Sequence, residues 1–506
     1  MRQKLVILMA LSLCIFATSC TKSNAQKETM QPTTQPTVQP TLKPTEKPKI
    51  TEAVATEAPK PENNYLQYKF DANTKFQTVD GFGGAYTWYA DMALRATDPS
   101  GLFDTLFSDA KLTILRFKNE YEYNGMGSAS NVNTMLNIYN QAKERAAKYG
   151  EDVIVLLSCW SPPRFLKENN DITGKATLIK DKKGNYEYDE YGAWWAESVN
   201  YYESKGIKID YVSIQNEADF AASYDGCRFD AMESDKVASY SKAYLATYHA
   251  LQKTMGKDAP AMMGPETMSC IPETLYQYMK DVIDTAPESI YGIAHHLYVG
   301  GTGDEKADTI SPDSWMMNFL RYKNYFKDYK LWQTEYYIGH ALDTATLINN
   351  CMTIENANAY LYWSNIWIGN DSPLFESGFL IGVTGRDWAT KADYYAMRHF
   401  SEFIRPGFTR ISATSGDMDI RTSTYISKDG SKLAIVLINR KKDAATLQLN
   451  GTGYTIKDST IYQSVVGATC ESADNLYQNI GSLGKDNTIT LPAESITTID
   501  ISGSTE

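Results

Sequence analysis

The 506-residue sequence predicts an α/β fold, a closed (β/α)8 TIM barrel with a side-associated antiparallel β-sandwich. Three observations predict it. Eight short β-rich runs alternate with longer helical stretches between residues 79 and 365, the rhythm of parallel strands joined by crossover helices. Eight is the number that closes such a sheet on itself. Beyond about Pro406 the runs alternate in polarity and are separated by Gly, Asp and Asn turns, as at 422–426, Lys432–Asn439 and Thr488–Leu491, which reads as antiparallel β-structure.

In chain order, the first element is an export signal over residues 1–20. Arg2 and Lys4 precede an apolar run at 5–17 that is too short to span a bilayer comfortably. The run ends Ala17-Thr18-Ser19-Cys20, which resembles a bacterial lipoprotein signal with Cys20 as the lipidated residue. A membrane anchor at Cys20 is therefore expected, the alternative being cleavage nearby and release of a secreted protein. Residues 21–63 follow as a linker in which Pro32, Pro36, Pro40, Pro44 and Pro48 recur every four residues among Thr, Gln and Lys. Such a segment buries no core, and at ~3 Å per residue it reaches on the order of 100 Å from an anchor. Residues 64–76 read as a strand contributed to the side domain. The barrel is expected over 77–405, with strands at 79–84, 112–117, 153–159, 211–217, 259–266, 292–298, 330–336 and 359–365. Helical patterns lie between them, as at 133–148, 191–205 and 235–255. The β-sandwich occupies 406–506.

Composition narrows the function. About 43% of residues are apolar, enough for a large core, and the net charge is −12 with no basic block. That balance excludes a nucleic-acid footprint, which needs clustered Lys and Arg. Of seven cysteines, Cys14 and Cys20 fall in the signal, and no CxxC or His-rich spacing marks a metal site. No cofactor is expected, and a monomer is.

The chemistry lies at strand ends. Barrel strand four ends Ser213-Ile214-Gln215-Asn216-Glu217, and strand seven ends Trp332-Gln333-Thr334-Glu335-Tyr336. Each places a carboxylate where an apolar run stops, at the face of the barrel that carries active sites. Strands four and seven face each other across the mouth. Two carboxylates flanking one bond are what glycoside cleavage requires, one to protonate the leaving oxygen and one to attack the anomeric carbon. A single glutamate after a strand is ordinarily a solvated loop residue; two in these contexts are read as a catalytic pair.

At this point the sequence resembles glycoside hydrolase family 30, which holds xylanases, glucuronoxylanases, β-1,6-glucanases and glucosylceramidases. The resemblance runs from about Lys69 to Ser502. It rests on Gln77-Thr78-Val79-Asp80-Gly81-Phe82-Gly83-Gly84, on Cys159-Trp160-Ser161-Pro162-Pro163 with Phe165-Leu166-Lys167, on the two glutamate motifs, and on His399-Phe400-Ser401-Glu402-Phe403-Ile404-Arg405-Pro406-Gly407 at the domain junction. One departure is Ala218, where the family usually has Pro, which is expected to loosen the loop after Glu217.

The resemblance implies a retaining mechanism with Glu217 as acid/base and Glu335 as nucleophile. Glu335 is then held ionised by cationic and hydrogen-bonding neighbours, and Glu217, facing that charge, is raised in pKa. It also implies that Asn216 bonds the sugar 2-hydroxyl, that Trp160, Trp88 and Trp363 line subsites, and that Tyr298 sits near the nucleophile. Tyr337 or Tyr336 lines the same subsite, Tyr224 is a further subsite candidate, and Arg116 at the end of strand two supports the nucleophile. His295 and His296 are adjacent on strand six, so one points inward and one outward; both are read as structural or substrate hydrogen-bonding groups.

The substrate read from the resemblance is xylan, especially from the junction motif, with β-1,6-glucan or another family substrate as the alternative. A surface carbohydrate-binding protein on an inactive barrel is the non-enzymatic alternative. The glucuronoxylanases of the family grip a glucuronate with an arginine four residues after the strand-eight tryptophan and a tyrosine two further on. Counting from Trp363 gives Trp367 and Gly369, so dependence on glucuronate is not expected. Arg386, in the long loop running from 366 to about 390, is the remaining cation that could reach the cleft. Finally, Cys227 and Cys270 follow neighbouring strands four and five, and in an oxidising compartment they are expected to form a disulfide.

Overall fold

Parallel strands covered on both faces are near-continuous apolar runs, which is why eight of them stand out in the sequence. In the computed structural model they are β2 (Gly81–Tyr86), β3 (Ile114–Lys118), β4 (Ile154–Ser158), β5 (Tyr211–Ser213), β6 (Ala261–Ser269), β7 (Ile290–Val299), β8 (Lys330–Glu335) and β9 (Ala359–Ile368). All pair in parallel with their neighbours, and β9 bonds both β8 and β2, so the sheet closes as barrel strands one to eight. The structure describes residues 65–122, 129–303, 310–369, 378–467, 473–484 and 486–506. The signal with Cys20, the linker, Cys470 and residues 370–377 of the loop after strand eight lie outside them.

The helices follow local chemistry. The helix expected over 235–255 starts only at Tyr240, because Ser239 caps it by accepting a hydrogen bond from the Lys242 amide, and it ends at Gly256 in the left-handed region. The glycines of the opening motif are there for space. A Cβ on Gly83 would lie 1.9 Å from the Ile114 carbonyl, and one on Gly84 2.3 Å from Asn365 Oδ1, so strand one touches its neighbours through bare backbone. Asp80 of the same motif is structural. It accepts from Lys330 Nζ at 2.5 Å and Trp332 Nε1 at 2.9 Å. A layer of Ile114, Leu156, Met263, Ala294, Trp332 and Leu361 fills the barrel interior.

The side domain is a nine-stranded sheet. It takes β1 (Leu66–Thr78) from before the barrel, together with β12 (Thr409–Thr414), β13 (Ile420–Ile426), β14 (Lys432–Asn439), β15 (Ala445–Thr452), β16 (Tyr454–Val465), β17 (Gln478–Gly481), β18 (Thr488–Leu491) and β19 (Ser495–Thr505). Its pairings are antiparallel except β1 with β15, which is parallel. The junction motif locks the two domains together. His399 is fully buried, and burial lowers its pKa to about 3, so a neutral ring bonds Thr498 and Ser464 of the side sheet. Arg405 binds Glu151 and the Lys111 carbonyl of the barrel.

Three expectations are corrected. Strand four stops at Ser213, so Asn216 and Glu217 lie in the turn beyond it. The loop after strand eight is partly ordered secondary structure: β9 runs on to Ile368, and β10 (Phe379–Thr384) returns with β11 (Asp387–Thr390) as a hairpin on the barrel sheet. Cys227 and Cys270 are both free and buried. Their loops lean to opposite neighbours. The Cys227 loop hydrogen-bonds the strand-three loop, Gly226 to Ile172 and Arg228 to Ala176, whereas Cys270 is bound to Val299 and to Tyr322 beyond strand six.

Candidate active site

Glu217 and Glu335 meet at the top of the barrel, 5% and 4% exposed. Glu335 ends β8, as strand geometry predicts. Glu217 arrives differently: its φ is 51°, in the left-handed region that costs a non-glycine residue about 1–3 kcal/mol. The surroundings hold it there. The Glu217 amide donates to the Glu266 carbonyl at 2.8 Å, and Asp219 accepts the amides of Met268 and Ser269, tying this turn to β6. These bonds restrain the turn that Ala218 was expected to loosen.

Arg116, at the end region of strand two, is fully buried and organises the floor. Its Nη1 bonds Glu335 Oε2 at 2.6 Å, Nη2 bonds Asn216 Oδ1 at 2.7 Å, and Nε bonds Glu266 Oε1 at 3.0 Å. The guanidinium also lies 4.5 Å from the Trp160 ring centroid, a cation–π contact. Because Arg116 takes Oδ1 of Asn216, the amide nitrogen is the end left for a substrate hydroxyl.

Two phenols address the pair. Tyr298 donates to Glu335 Oε1 at 3.1 Å and Tyr224 to Glu217 Oε2 at 2.7 Å. Burial, reinforced by the carboxylate each one faces, raises both phenol pKa values, so both remain donors at any working pH. Of the adjacent histidines, His296 points inward and His295 outward to Glu355, at 2.7 Å. His296 Nδ1 is 3.2 Å from Glu217 Oε1 and 3.9 Å from Glu335 Oε1. Burial opposes charge on this ring, but Glu335, Glu217 and Glu266 outweigh it and raise its pKa to about 9. For Glu335, burial is the larger influence and lifts its pKa from the ordinary carboxylate value, with His296 and Arg116 pulling against it. The cations expected around Glu335 are present, but they do not overcome its burial.

One ligand atom from each of Glu217, His296 and Glu335 lies within 4.8 Å of the other two. That spacing would also admit a metal ion. The same groups are joined in this structure by the His296–Glu217 contact and by the Tyr224 and Tyr298 bonds to the two carboxylates.

The expected aromatics gather beside the pair. Trp88 has ring centroids at 5.6 Å to Trp160, 6.1 Å to Trp363 and 6.4 Å to Tyr224. Tyr336 lies 5.1 Å from Tyr298, and Tyr337 stacks on Tyr336 at 6.2 Å and packs against Gly378. Trp367 joins the cluster at 6.1 Å from Trp88, and Tyr89 touches it at 4.7 Å. Lys118 lies 4.5 Å from the Trp88 centroid and pairs with Asp225 at 2.5 Å. Arg386 is turned to the Arg95 carbonyl. Sequence reasoning missed Glu266, Lys118 and Asp225. Glu266 carried a usable signal, because Gly264-Pro265-Glu266 ends the expected strand five as Glu217 and Glu335 end theirs.

Comparison with known proteins agrees with this architecture. The glycosyl hydrolase family 30 TIM-barrel domain matches residues 119–404, and the family 30 beta sandwich domain matches 407–499. The glucuronoxylanase XynC of Bacillus subtilis (strain 168) is 24% identical over 445 residues, 83% of this chain and 88% of its own length. A putative glucosylceramidase 1 of Caenorhabditis elegans is 23% identical over 419 residues, 74% and 76% of the two chains. The solved catalytic domain of a family 30 xylanase C from Talaromyces cellulolyticus superposes with a TM-score of 0.68 at 20% identity, covering 86% of this chain and 100% of that one.

Proposed function

The chain belongs to glycosyl hydrolase family 30 and is a glycoside hydrolase; we propose that it cleaves the β-linked backbone of xylan with retention of configuration. Glu335 attacks the anomeric carbon while Glu217 protonates the leaving oxygen, and Glu217 then deprotonates the water that releases the sugar. The observation that carries the reading is the closeness of the two carboxylates, one oxygen of each lying within 4.8 Å of the other. Retaining pairs stand ~5–5.5 Å apart, whereas an inverting pair needs roughly 6.5–9.5 Å to admit a water. Asn216 donates to the 2-hydroxyl, and Tyr298 and Arg116 orient Glu335. Product analysis on xylan, glucuronoxylan and β-1,6-glucan in parallel tests the substrate; turnover of the glucan alone would move the assignment to the glucanase members.

Glucuronate is not required in this reading. The position expected to hold a cation is Trp367, which lies in the aromatic cluster, and Arg386 is held at Arg95. A guanidinium grips a carboxylate with two charge-assisted bonds, and an indole has one neutral donor. Removing the glucuronate branches from xylan is expected to leave activity within a few-fold. A loss of about a hundredfold, roughly the worth of a desolvated charge pair, would overturn this.

The aromatic cluster also bears on product length. Trp88 and Tyr89 from strand one, Trp363 and Trp367 from strand eight, and Tyr224 from the strand-four loop meet over one side of the mouth, with Trp88 Nε1 3.4 Å from Asp225. Trp160 beneath them is 1% exposed. These rings meet edge-on and close up one side of the mouth while Trp88 stays 36% exposed, a compact platform that favours short products over a ladder of lengths in the same assay.

The location proposed is the cell surface, by a lipid at Cys20. Cys20→Ser is expected to move the protein from the membrane fraction to the soluble exported fraction; an unchanged distribution would rule the anchor out.

A further inference from the structure

We propose that Glu266 is a positioning residue for the glycosidic reaction: it bonds Arg116, faces His296 with its negative charge, and so keeps one proton on the Glu217–Glu335 pair, without touching substrate. The inference rests on the roles assigned to those two glutamates.

Glu266 lies on β6, fully buried, with φ 50° in the left-handed region. This conformation is costly for glutamate, and it serves to turn both ends of the residue to the site. The carbonyl accepts the Glu217 amide at 2.8 Å. Oε1 accepts Arg116 Nε at 3.0 Å and lies 4.0 Å from His296 Nε2; Oε2 accepts Ser158 Oγ at 2.9 Å. Among the described residues, Arg116 and His296 are the cations that contact the catalytic pair. Also facing this centre are the phenols of Tyr224 and Tyr298, the amide of Asn216, Ser213 and Tyr240 beside Glu266, and the Asp219 carboxyl, which feels the charge of Glu217.

The charges can be counted. Arg116 and protonated His296 supply two positive charges. With Glu266 ionised, one is neutralised, and the remaining cation balances one of the two catalytic carboxylates. The pair as a whole therefore keeps one proton, the proton that the leaving oxygen needs. Without the Glu266 charge, two cations face two carboxylates, and both can ionise. The acid is lost unless His296 gives up its proton instead. Either response moves the alkaline limb of the pH profile downward.

The test is Glu266→Gln, which keeps the shape and removes the charge. On the wild type's glycan, kcat/KM is expected to fall on the order of a hundredfold, the worth of a general acid. On an aryl β-glycoside with an activated leaving group, which needs no protonation, the fall should be at least tenfold smaller. The alkaline limb should move down by about one pH unit or more. Equal losses on both substrates with an unmoved profile would show a merely structural role and overturn the proposal. If Glu266→Gln does not fold, Ser158→Ala weakens the same carboxylate, and the same leaving-group contrast in smaller size is expected; its absence overturns the proposal. A wild type that turns over neither glycan nor aryl glycoside would instead defeat the proposed function.

Discussion

Glu335→Gly is expected to lower kcat on the aryl glycoside by about 10⁴-fold or more, the scale on which removal of a covalent nucleophile acts. Azide should then restore turnover and give a glycosyl azide of inverted, α configuration, because the small anion enters the cavity left by the carboxylate and attacks from that face. Glu217→Ala should cost less, about 10²–10⁴-fold. Azide should rescue it too, with the β product, since there the anion intercepts the glycosyl-enzyme in place of water. The structure makes the two cavities distinguishable. Glu335 lies on Arg116 and Tyr298, whereas Glu217 lies on Tyr224 and His296. Product anomers read by NMR decide the matter, and the same anomer from both variants would end the assignment of roles.

Arg116→Met should be the most damaging change that spares both glutamates. It leaves the Glu266 and Glu335 carboxylates buried without their guanidinium, and breaking one partner out of a buried ion pair costs about 3–5 kcal/mol. Activity should fall at least about a hundredfold as Glu335 and Asn216 lose their alignment. The effect on stability should depend on pH. Burial alone would raise the Glu266 pKa, but Arg116 and His296 reverse this and hold it well below the ordinary carboxylate range. A depressed carboxylate contributes stability that is present above its unfolded pKa of about 4.3 and is lost as pH falls toward the folded value. The difference in melting temperature between wild type and variant should therefore be largest near neutrality and shrink as pH falls from 5 to 3. A difference that stays constant across that range would mean Arg116 acts through packing alone. His296 has the opposite sign: its contribution is complete below about 6.5 and is lost as pH rises through about 9.

Much of this site is legible because two carboxylates that end apolar runs on facing strands form a pattern that a lone solvated loop residue does not. Glu217 and Glu335 stand out in this way, Arg116 follows from the family resemblance, and the two-residue period of a strand requires one of His295 and His296 to point inward. Gly264-Pro265-Glu266 carries the same signal, but glycoside cleavage by two carboxylates gives a third no role that the sequence alone would name. What could not be read is which way loops lean. Counting residues puts Cys227 and Cys270 above adjacent strands, but the direction of the 220–229 segment is set by pairing with residues 172–176, a contact that leaves no periodic mark. Trp367 was read as the absence of an arginine; its packing against Tyr89 and Trp88 depends on β9 running three residues past the expected strand. The early end of strand four is likewise invisible in propensity, because the turn at Glu217 is held by tertiary hydrogen bonds against its own backbone preference.

The placement of β1 has a consequence for how the protein is made. Gln67 contacts Gln448 across 381 residues of chain, and β1 lies between two strands that both come after the barrel. At roughly 5–20 residues per second, a ribosome needs about 20–80 s to deliver those partners after β1 has emerged. For that time β1 is an unpaired strand with Tyr68 and Phe70 uncovered, two side chains that are buried in the finished sheet. The barrel has all its strands well before the sheet that seals its first segment can form. Pairing β1 with β12 and β15 makes strands from beyond the barrel the closing step for one made before it, and a chain cut short before β12 would retain its glutamates with a sticky, unmatched edge.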